Sequence, residues 1–443
     1  MATPTNRWTR RGFLKSAAAA TAVAGLPDWF REGSPSRVFA QETSPNERPK
    51  IALIGCGGMG TGDAKNAQRF GDVVAVCDVD AAHVDKARET FKGAKGYRDY
   101  REVCDLPDVD VIINGTPDHW HTLINLRAVR SGKDVYSEKP LTLTIDEGKR
   151  LVAAVKETGR VLQTGSQQRS DARFRLACEL VRNGRVGKVE RVRTWLPVGM
   201  HGGPFPTKPV PENLDWDFWL GQAPKVDYVP ERCHGTFRYW WDYSGGTMTD
   251  WGAHHNDIAL WGLGKTGPVS VEGRRLDEPV DGGYTAASQY RVKYVYDDGV
   301  EHDCWSTQAS SRFGSPGGEP GPGEREHGVQ FEGPDGWIFV TRGKLEASDP
   351  ALIEEPLPSD AERLYASEDH MGNFFDCVKT RKAPICDAET GHRSASVCHL
   401  GVIAIRLGRK LAWDPQSETF QNDPEANAML AREQRKPYSY DEA

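Results

Sequence analysis

The 443-residue chain lacks several things that would each point to a function class. Its nine cysteines are an odd number with no C-x-x-C spacing, so neither a disulfide framework nor a cysteine metal knuckle is expected, and buried free thiols are the reading. There is no H-E-x-x-H and no internal repeat. A zinc set drawn from His254, Asp257, His119 and His121 has no spacing to support it, and no metal is expected. Excess positive charge is missing too. Lys and Arg number 56 against 63 Asp and Glu, a formal charge of −7, and six of the basic residues fall in the first forty. An acidic body without a basic stripe excludes nucleic acid as the natural partner. What is present, 38% apolar and 27% charged residues, is the composition of a soluble globular protein with chain enough for two or three domains.

Residues 1–40 read as a targeting segment. Arg10-Arg11 with Phe13-Leu14-Lys15 is a twin-arginine signature, and Ser16 to Leu26 is mildly apolar and too short to span a bilayer. Val38-Phe39-Ala40 is a small-residue cleavage site. The expectation is a periplasmic or otherwise extracytoplasmic protein, cleaved near Ala40 and free of the membrane thereafter.

From Lys50 the pattern alternates. Ile51 to Ile54 is a short apolar run of the kind buried on both faces of a parallel sheet, and Val73 to Cys77 is a second. A helix over 81–91, a strand over 110–114, a helix over 121–131, a strand over 133–136, a helix over 145–158 and a strand over 161–165 follow. This alternation predicts a doubly wound parallel sheet, an α/β Rossmann domain over 48–166. Beyond it the spacing changes. A helix over 171–183, strands over 187–195, 269–275, 285–296 and 301–306, and helices over 371–380 and 392–408 predict an α+β domain over 167–410 with a mainly antiparallel sheet. Ser311 to Gly328 is a Gly/Pro loop, and 411–443 reads as a polar tail.

The stretch between the first two strands carries the clearest chemistry. Gly55-Cys56-Gly57-Gly58-Met59-Gly60 matches G-x-G-x-x-G between a strand and a helix. Gly55 serves the turn, Gly57 the approach of a pyrophosphate and Gly60 the packing of helix on strand, with the helix N-terminus facing the phosphates. Asp78 closes the second strand 18 residues after Gly60, placed to accept from an adenosine ribose and to repel a 2′-phosphate. NAD is therefore expected, with NADP disfavoured.

Further motifs lie downstream: Thr116-Pro117 with His121, Glu138-Lys139-Pro140, and Gly245-Gly246-Thr247-Met248-Thr249-Asp250-Trp251-Gly252-Ala253-His254. With the glycine fingerprint they make the chain resemble the glucose–fructose oxidoreductase/inositol dehydrogenase (Gfo/Idh/MocA) family over roughly residues 48 to 410. The resemblance implies an NAD(P)-dependent oxidoreductase with a C-terminal sheet domain and, through that sheet, a homo-oligomer. It places the catalytic lysine at Lys139 and the Asp-x-x-x-His pair at Asp250 and His254. Cofactor contacts are expected from Gly55, Gly57, Gly58, Met59, Gly60, Asp78, Thr116, Pro117, His121, Glu138 and Lys139.

The residue types agree with that chemistry. Oxidising an alcohol needs a base for the hydroxyl proton, and a histidine near neutrality suits it. Asp250, four residues before His254, shares its face on a helix and can orient the imidazole. Lys139 ends a parallel strand, where such sheets bind ligands, and its ammonium can stabilise an alkoxide. The run Phe237-Arg238-Tyr239-Trp240-Trp241 suits a polyol, with Arg238, Tyr239, Trp240 and Asp257 as substrate contacts. The expected activity is hydride transfer between NAD and a hydroxyl of a sugar, glycoside or cyclitol. Two rivals stand beside it: a glycoside hydrolase that oxidises transiently, and a sugar-binding protein that keeps NAD as a structural part.

Overall fold

The computed structural model describes residues 26–32, 48–306, 327–441 and 443. The twin-arginine motif, the site at Ala40 and most of the 311–328 loop lie outside them. Six parallel strands form the first sheet: β1 (Lys50–Ile54), β2 (Asp72–Cys77), β3 (Lys95–Tyr97), β4 (Val111–Asn114), β5 (Asp134–Ser137) and β6 (Leu162–Thr164), in the spatial order β3-β2-β1-β4-β5-β6. Alternation along β1 explains why the run is apolar throughout. Ile51 and Leu53 face one buried cluster, and Ala52 and Ile54 face another on the opposite side. Helices α1 (Gly58–Ala67), α2 (Ala81–Thr90), α3 (Asp118–Arg130) and α4 (Ile145–Thr158) make the crossovers. The last is bounded by a capping box, Thr144 with Glu147, and by Gly159 at φ 63°. The strand order reverses between β1 and β4, which opens a crevice at their carboxyl ends.

The second sheet has nine strands and is mostly antiparallel. β7 (Arg191–Trp195) and β10 (Glu301–Ser306) pair in parallel, flanked by β8 (Ser270–Arg275), β9 (Tyr290–Val295), β11 (Gly328–Gly333), β12 (Gly336–Thr341), β13 (Lys344–Ala347), β14 (Lys410–Asp414) and β15 (Thr419–Phe420). Helices α5 (Ala172–Arg182), α6 (Gly252–Leu263) and α8 (Ala388–Leu407) share its buried core, which includes Val192, Val292, Tyr294, Cys304 and Phe331. α7 (His370–Thr380) instead returns to the first sheet and buries Met371, Phe374 and Phe375 against it. All nine cysteines are free thiols, eight of them buried. Among the described residues no helix is long and apolar enough to cross a membrane.

Several elements differ from the sequence reading. β3 is only three residues long, and β11 to β13 follow a Gly/Pro stretch that masked their pattern. α3 starts at Asp118 rather than His121, because Pro117 sits in the N-cap position with extended backbone. Thr285 to Gln289 is irregular, and the strand begins at Tyr290. The chain after residue 410 is anchored: Lys410–Ala412 pairs with β8, and the Tyr440 hydroxyl meets buried Glu147. Upstream, residues 28–32 form a turn of helix. Leu26 and Phe30 are buried in the second core, with the Arg175 guanidinium 4.5 Å from the Phe30 ring.

Candidate active site

The crevice is built from two tight loops that touch. Gly55 has φ +88°, and a Cβ there would meet the backbone of Gly115 and Thr116 at 2.6 Å. A Cβ on Gly60 would strike the Gly55 carbonyl oxygen, so α1 packs against the loop only because residue 60 lacks one. Gly57 and Gly58 differ, since a Cβ at either would meet no described residue within 4 Å. Their backbone faces open space at the start of α1, where no side chain caps the helix. These residues therefore fit a pyrophosphate, which backbone N–H groups at that helix end would hold. Asp78 lies beside them, held by the Cys56 amide at 2.8 Å and the Asp80 amide at 2.9 Å.

Two cavities open here. The first is lined by Gly55, Gly57, Gly58 and Asp78, by Thr116, Pro117 and Asp118, and by Phe218, Trp219, His234 and Phe237 from the second domain. The second is lined by Gln167, Asp171, Asp250, Trp251, His254 and Arg342. Met59, Glu138, Lys139 and Arg238 line both and form a common wall.

Lys139 is the most constrained of these. Its side chain is 8% exposed and its Nζ lies 2.6 Å from Asp250 Oδ1 and 3.3 Å from the Asp250 carbonyl oxygen. Arg238 Nε approaches the same carboxylate oxygen at 3.3 Å. Burial alone would raise the Asp250 pKa; Lys139 and Arg238 overcome it and hold the carboxyl below its ordinary value. Asp250 thus positions the lysine and not the histidine, a correction to the spacing argument. Asp250 ends one short helix and His254 lies in the next, and both border the same cavity. The Asp250 carboxylate is drawn to the buried Lys139 ammonium and to Arg238. His254 is buried, and among the described residues its Nδ1 has no hydrogen-bond partner. Burial first, then the charges of Lys139 and Arg342, press its pKa well below 6.5, so the ring is neutral.

Other expected residues are placed differently. Gly60 serves packing and lines neither cavity. His121 does not reach them either: its Nδ1 lies 2.7 Å from the Pro140 carbonyl oxygen and its Nε2 2.9 Å from that of Thr116, so it ties the loops after β4 and β5 together. Asp257, expected at the substrate, is 1% exposed and forms a two-pronged ion pair with Arg169 at 2.7 and 2.8 Å. Trp240 is 2% exposed, its Nε1 donating to the Glu231 carbonyl, and the Arg232 guanidinium sits 3.9 Å from its ring. Tyr239 packs edge-on against Tyr284 and lines neither cavity.

The structure also brings in residues the sequence reading missed. Arg342 comes from the end of β12 and lies 4.9 Å over the Trp251 ring. Gln167 donates to Glu138 Oε1 at 3.0 Å. Glu138 and Asp63 of α1 face each other; burial, and for Asp63 also the neighbouring carboxylate, raises both, so the pair keeps a proton. Asp118 accepts from Ser244 Oγ at 2.5 Å, and burial pushes it up to about 6. Glu138 belongs to the Glu138-Lys139-Pro140 motif; of Arg342, Gln167, Asp63 and Asp118, only Asp118 has a local signal, its place directly after Thr116-Pro117.

Comparison with known proteins agrees with this geometry. Residues 49–166 match the model of the Gfo/Idh/MocA oxidoreductase family, NAD-binding Rossmann fold, and residues 194–310 and 320–440 match that family's C-terminal alpha/beta domain. A relative from Bacillus subtilis, scyllo-inositol 2-dehydrogenase (NAD(+)), is 26% identical over 76% of this chain and 88% of its own length. Myo-inositol 2-dehydrogenase from Thermotoga maritima is 30% identical over 32% of this chain, and the match spans only 44% of that relative. Among solved structures, the WlbA dehydrogenase from Bordetella pertussis in complex with NADH and UDP-GlcNAcA superposes with a TM-score of 0.61 at 20% identity, over 83% of this chain and 99% of that one. The chain belongs to the Gfo/Idh/MocA family and is an NAD-binding oxidoreductase.

Proposed function

We propose that this oxidoreductase moves hydride between bound NAD and a hydroxyl of a sugar, glycoside or cyclitol held in the second cavity. The observation that carries the reading is the common wall: Lys139 borders both the glycine-loop cavity and the Asp250/His254 cavity. Gly55, Gly57, Gly58 and Asp78 would hold the dinucleotide, whose nicotinamide supplies the hydride acceptor. Lys139 has three N–H donors and spends two on Asp250, leaving one for a substrate oxygen. That donor stabilises the alkoxide as the hydroxyl proton leaves. His254, neutral, takes the proton. A base whose pKa is this depressed is weak, and alkoxide stabilisation by Lys139 lowers the basicity it needs. Arg238 and Asp250 fix the lysine. The test is to load the protein with NAD, add inositols, aldoses and glycosides in turn, and follow absorbance in the reduced-nicotinamide band. A rise with at least one of them is expected; binding of these ligands without any rise would leave the sugar-binding rival.

A second reading is favoured by the cover over the first cavity. The segment 213–238 crosses onto the Rossmann domain: the Ala81 amide donates to the Asn213 carbonyl at 2.8 Å, the Asp215 amide to Val79 at 3.1 Å, and Trp120 Nε1 to the Trp219 carbonyl at 2.9 Å. Such a lid suits a cofactor that stays bound. With the proposed export, which leaves no replenished NAD pool, each reduced nicotinamide would be reoxidised in place, by a second carbonyl substrate or in a redox-neutral hydrolysis or epimerisation. Protein purified without added nucleotide and then denatured should release close to one NAD per chain. Empty protein that needs added NAD and sheds NADH would reject this cycle.

A further inference from the structure

Where the lid meets the Rossmann domain, three metal-ligating side chains converge. Asp80 is the N-cap of α2 and His83 lies in its first turn, while His234 comes from the lid. One donor atom from each lies within 4.8 Å of the others, and His234 Nε2 is 3.0 Å from Asp80 Oδ2. The two imidazole rings are 4.4 Å apart between centroids. We propose that Asp80, His83 and His234 bind a divalent transition-metal ion of the zinc class, clipping the lid to the Rossmann domain at the Asp78 end of the first cavity.

Geometry and donor chemistry both support the site. Ligands at about 2.0–2.1 Å around a tetrahedral ion stand roughly 3.3 Å from one another, so the pair at 3.0 Å is already at that spacing, and His83, within 4.8 Å, closes by a side-chain turn of about 1.5 Å or less. Two imidazoles and one carboxylate are borderline donors that suit zinc and leave a fourth position for water. The supporting contacts are those of a metal site. His83 Nδ1 lies 3.3 Å from Asp78 Oδ2, a carboxylate that orients the imidazole as outer partners of metal-bound histidines do. Asp80 Oδ1 is occupied by Asn213 Nδ2 at 2.6 Å and the Ala82 amide at 2.8 Å, which aims Oδ2 at His234. The carboxylate is buried while His83 is half-buried and His234 exposed, so an ion can enter from solvent. No short-range spacing announces such a site, because His234 is 151 residues from His83.

The experiment uses the full chain, stripped with chelator and titrated with Zn2+ and with Co2+ against a chromophoric competitor. One ion per chain is expected, with a Co2+ visible spectrum of four-coordinate intensity. Loss of a protein ligand should weaken binding at least about 100-fold, since even outer contacts to metal ligands are worth 10–100-fold. His83→Ala and His234→Ala should both do so, and His201→Ala, at a histidine elsewhere on the second domain, should not. X-ray absorption on the Zn2+-loaded wild type gives a reading free of variant folding: two imidazoles and an oxygen-rich remainder. Wild-type affinity retained in both histidine variants, or an absorption spectrum without imidazole, would overturn the site and leave only a hydrogen-bonded latch.

Discussion

The two sides of the common wall are made of different material. On the glycine-loop side the phosphate-facing surface is backbone, where Gly57 and Gly58 carry no Cβ, and the rest is Asp78 and aromatic side chains from the second domain. On the other side the surface is charged side chain: Lys139 and Arg238 share one carboxylate, with neutral His254 and the Arg342 guanidinium beside them. Backbone recognition is indifferent to most side-chain chemistry and sensitive to volume. A charge network is the reverse, because removing one buried member exposes the others to an environment that cannot solvate them. Volume changes should therefore damage the first side, and charge or base changes the second.

The largest effect expected from a single change is on turnover. His254→Ala should lower kcat by roughly 10²–10⁴-fold with NAD still bound, measured by steady-state reduction of NAD. Unchanged kcat would transfer the base role to Lys139. Next is a test of the relocated Asp257. Asp257→Ala leaves Arg169 buried without its partner and should cost about 3–5 kcal/mol in denaturant unfolding while leaving substrate KM in place. A raised KM with full stability would restore it to the substrate.

A pH profile sharpens the contrast further. The base works when unprotonated, and His254 is held well below 6.5, so activity should not fall as pH drops through 6.5 on its account. Asp118, raised to about 6 by burial, titrates in that range, and an acid limb that it sets should vanish in Asp118→Asn. A limb near 6.5 that survives this substitution but is lost in His254→Ala would contradict the burial argument. The smallest effect is on cofactor choice. Asp78→Ala should narrow the preference for NAD over NADP, read as a ratio of Kd values, by about the strength of one or two hydrogen bonds to charge, roughly tenfold or more.

How far the site could be read in the chain follows the same division. β1, the glycine loop and Asp78 lie within 29 residues, so local pattern was enough to read them. Motifs single out Lys139 and His254, and the structure brings both to one cavity. Asp250 carries a different contact from the one its spacing suggests, because its partners Lys139 and Arg238 come from elsewhere in the fold and spacing from His254 cannot reveal them. Arg342 could not be found, since β12 has no pattern separable from the Gly/Pro stretch before it and reaches the site only through the sheet. The aromatic run likewise looked like a sugar platform, yet Trp240 is packed under Arg232. Residues 26–32, read as part of a leader, turn out to carry Leu26 and Phe30 into the second core, where Trp29 also donates to the Ile353 carbonyl.

The central claim is that Lys139 stands where the two cavities meet and acts on the substrate oxygen. Single-turnover reduction of bound NAD, followed in the reduced-nicotinamide band for wild type and Lys139→Ala with the same polyol, tests it most directly. The account predicts one equivalent of reduced nicotinamide per bound NAD in the wild type, and a rate lower by about 10²–10³-fold in the variant at similar polyol affinity. Equal rates in the two proteins would contradict it.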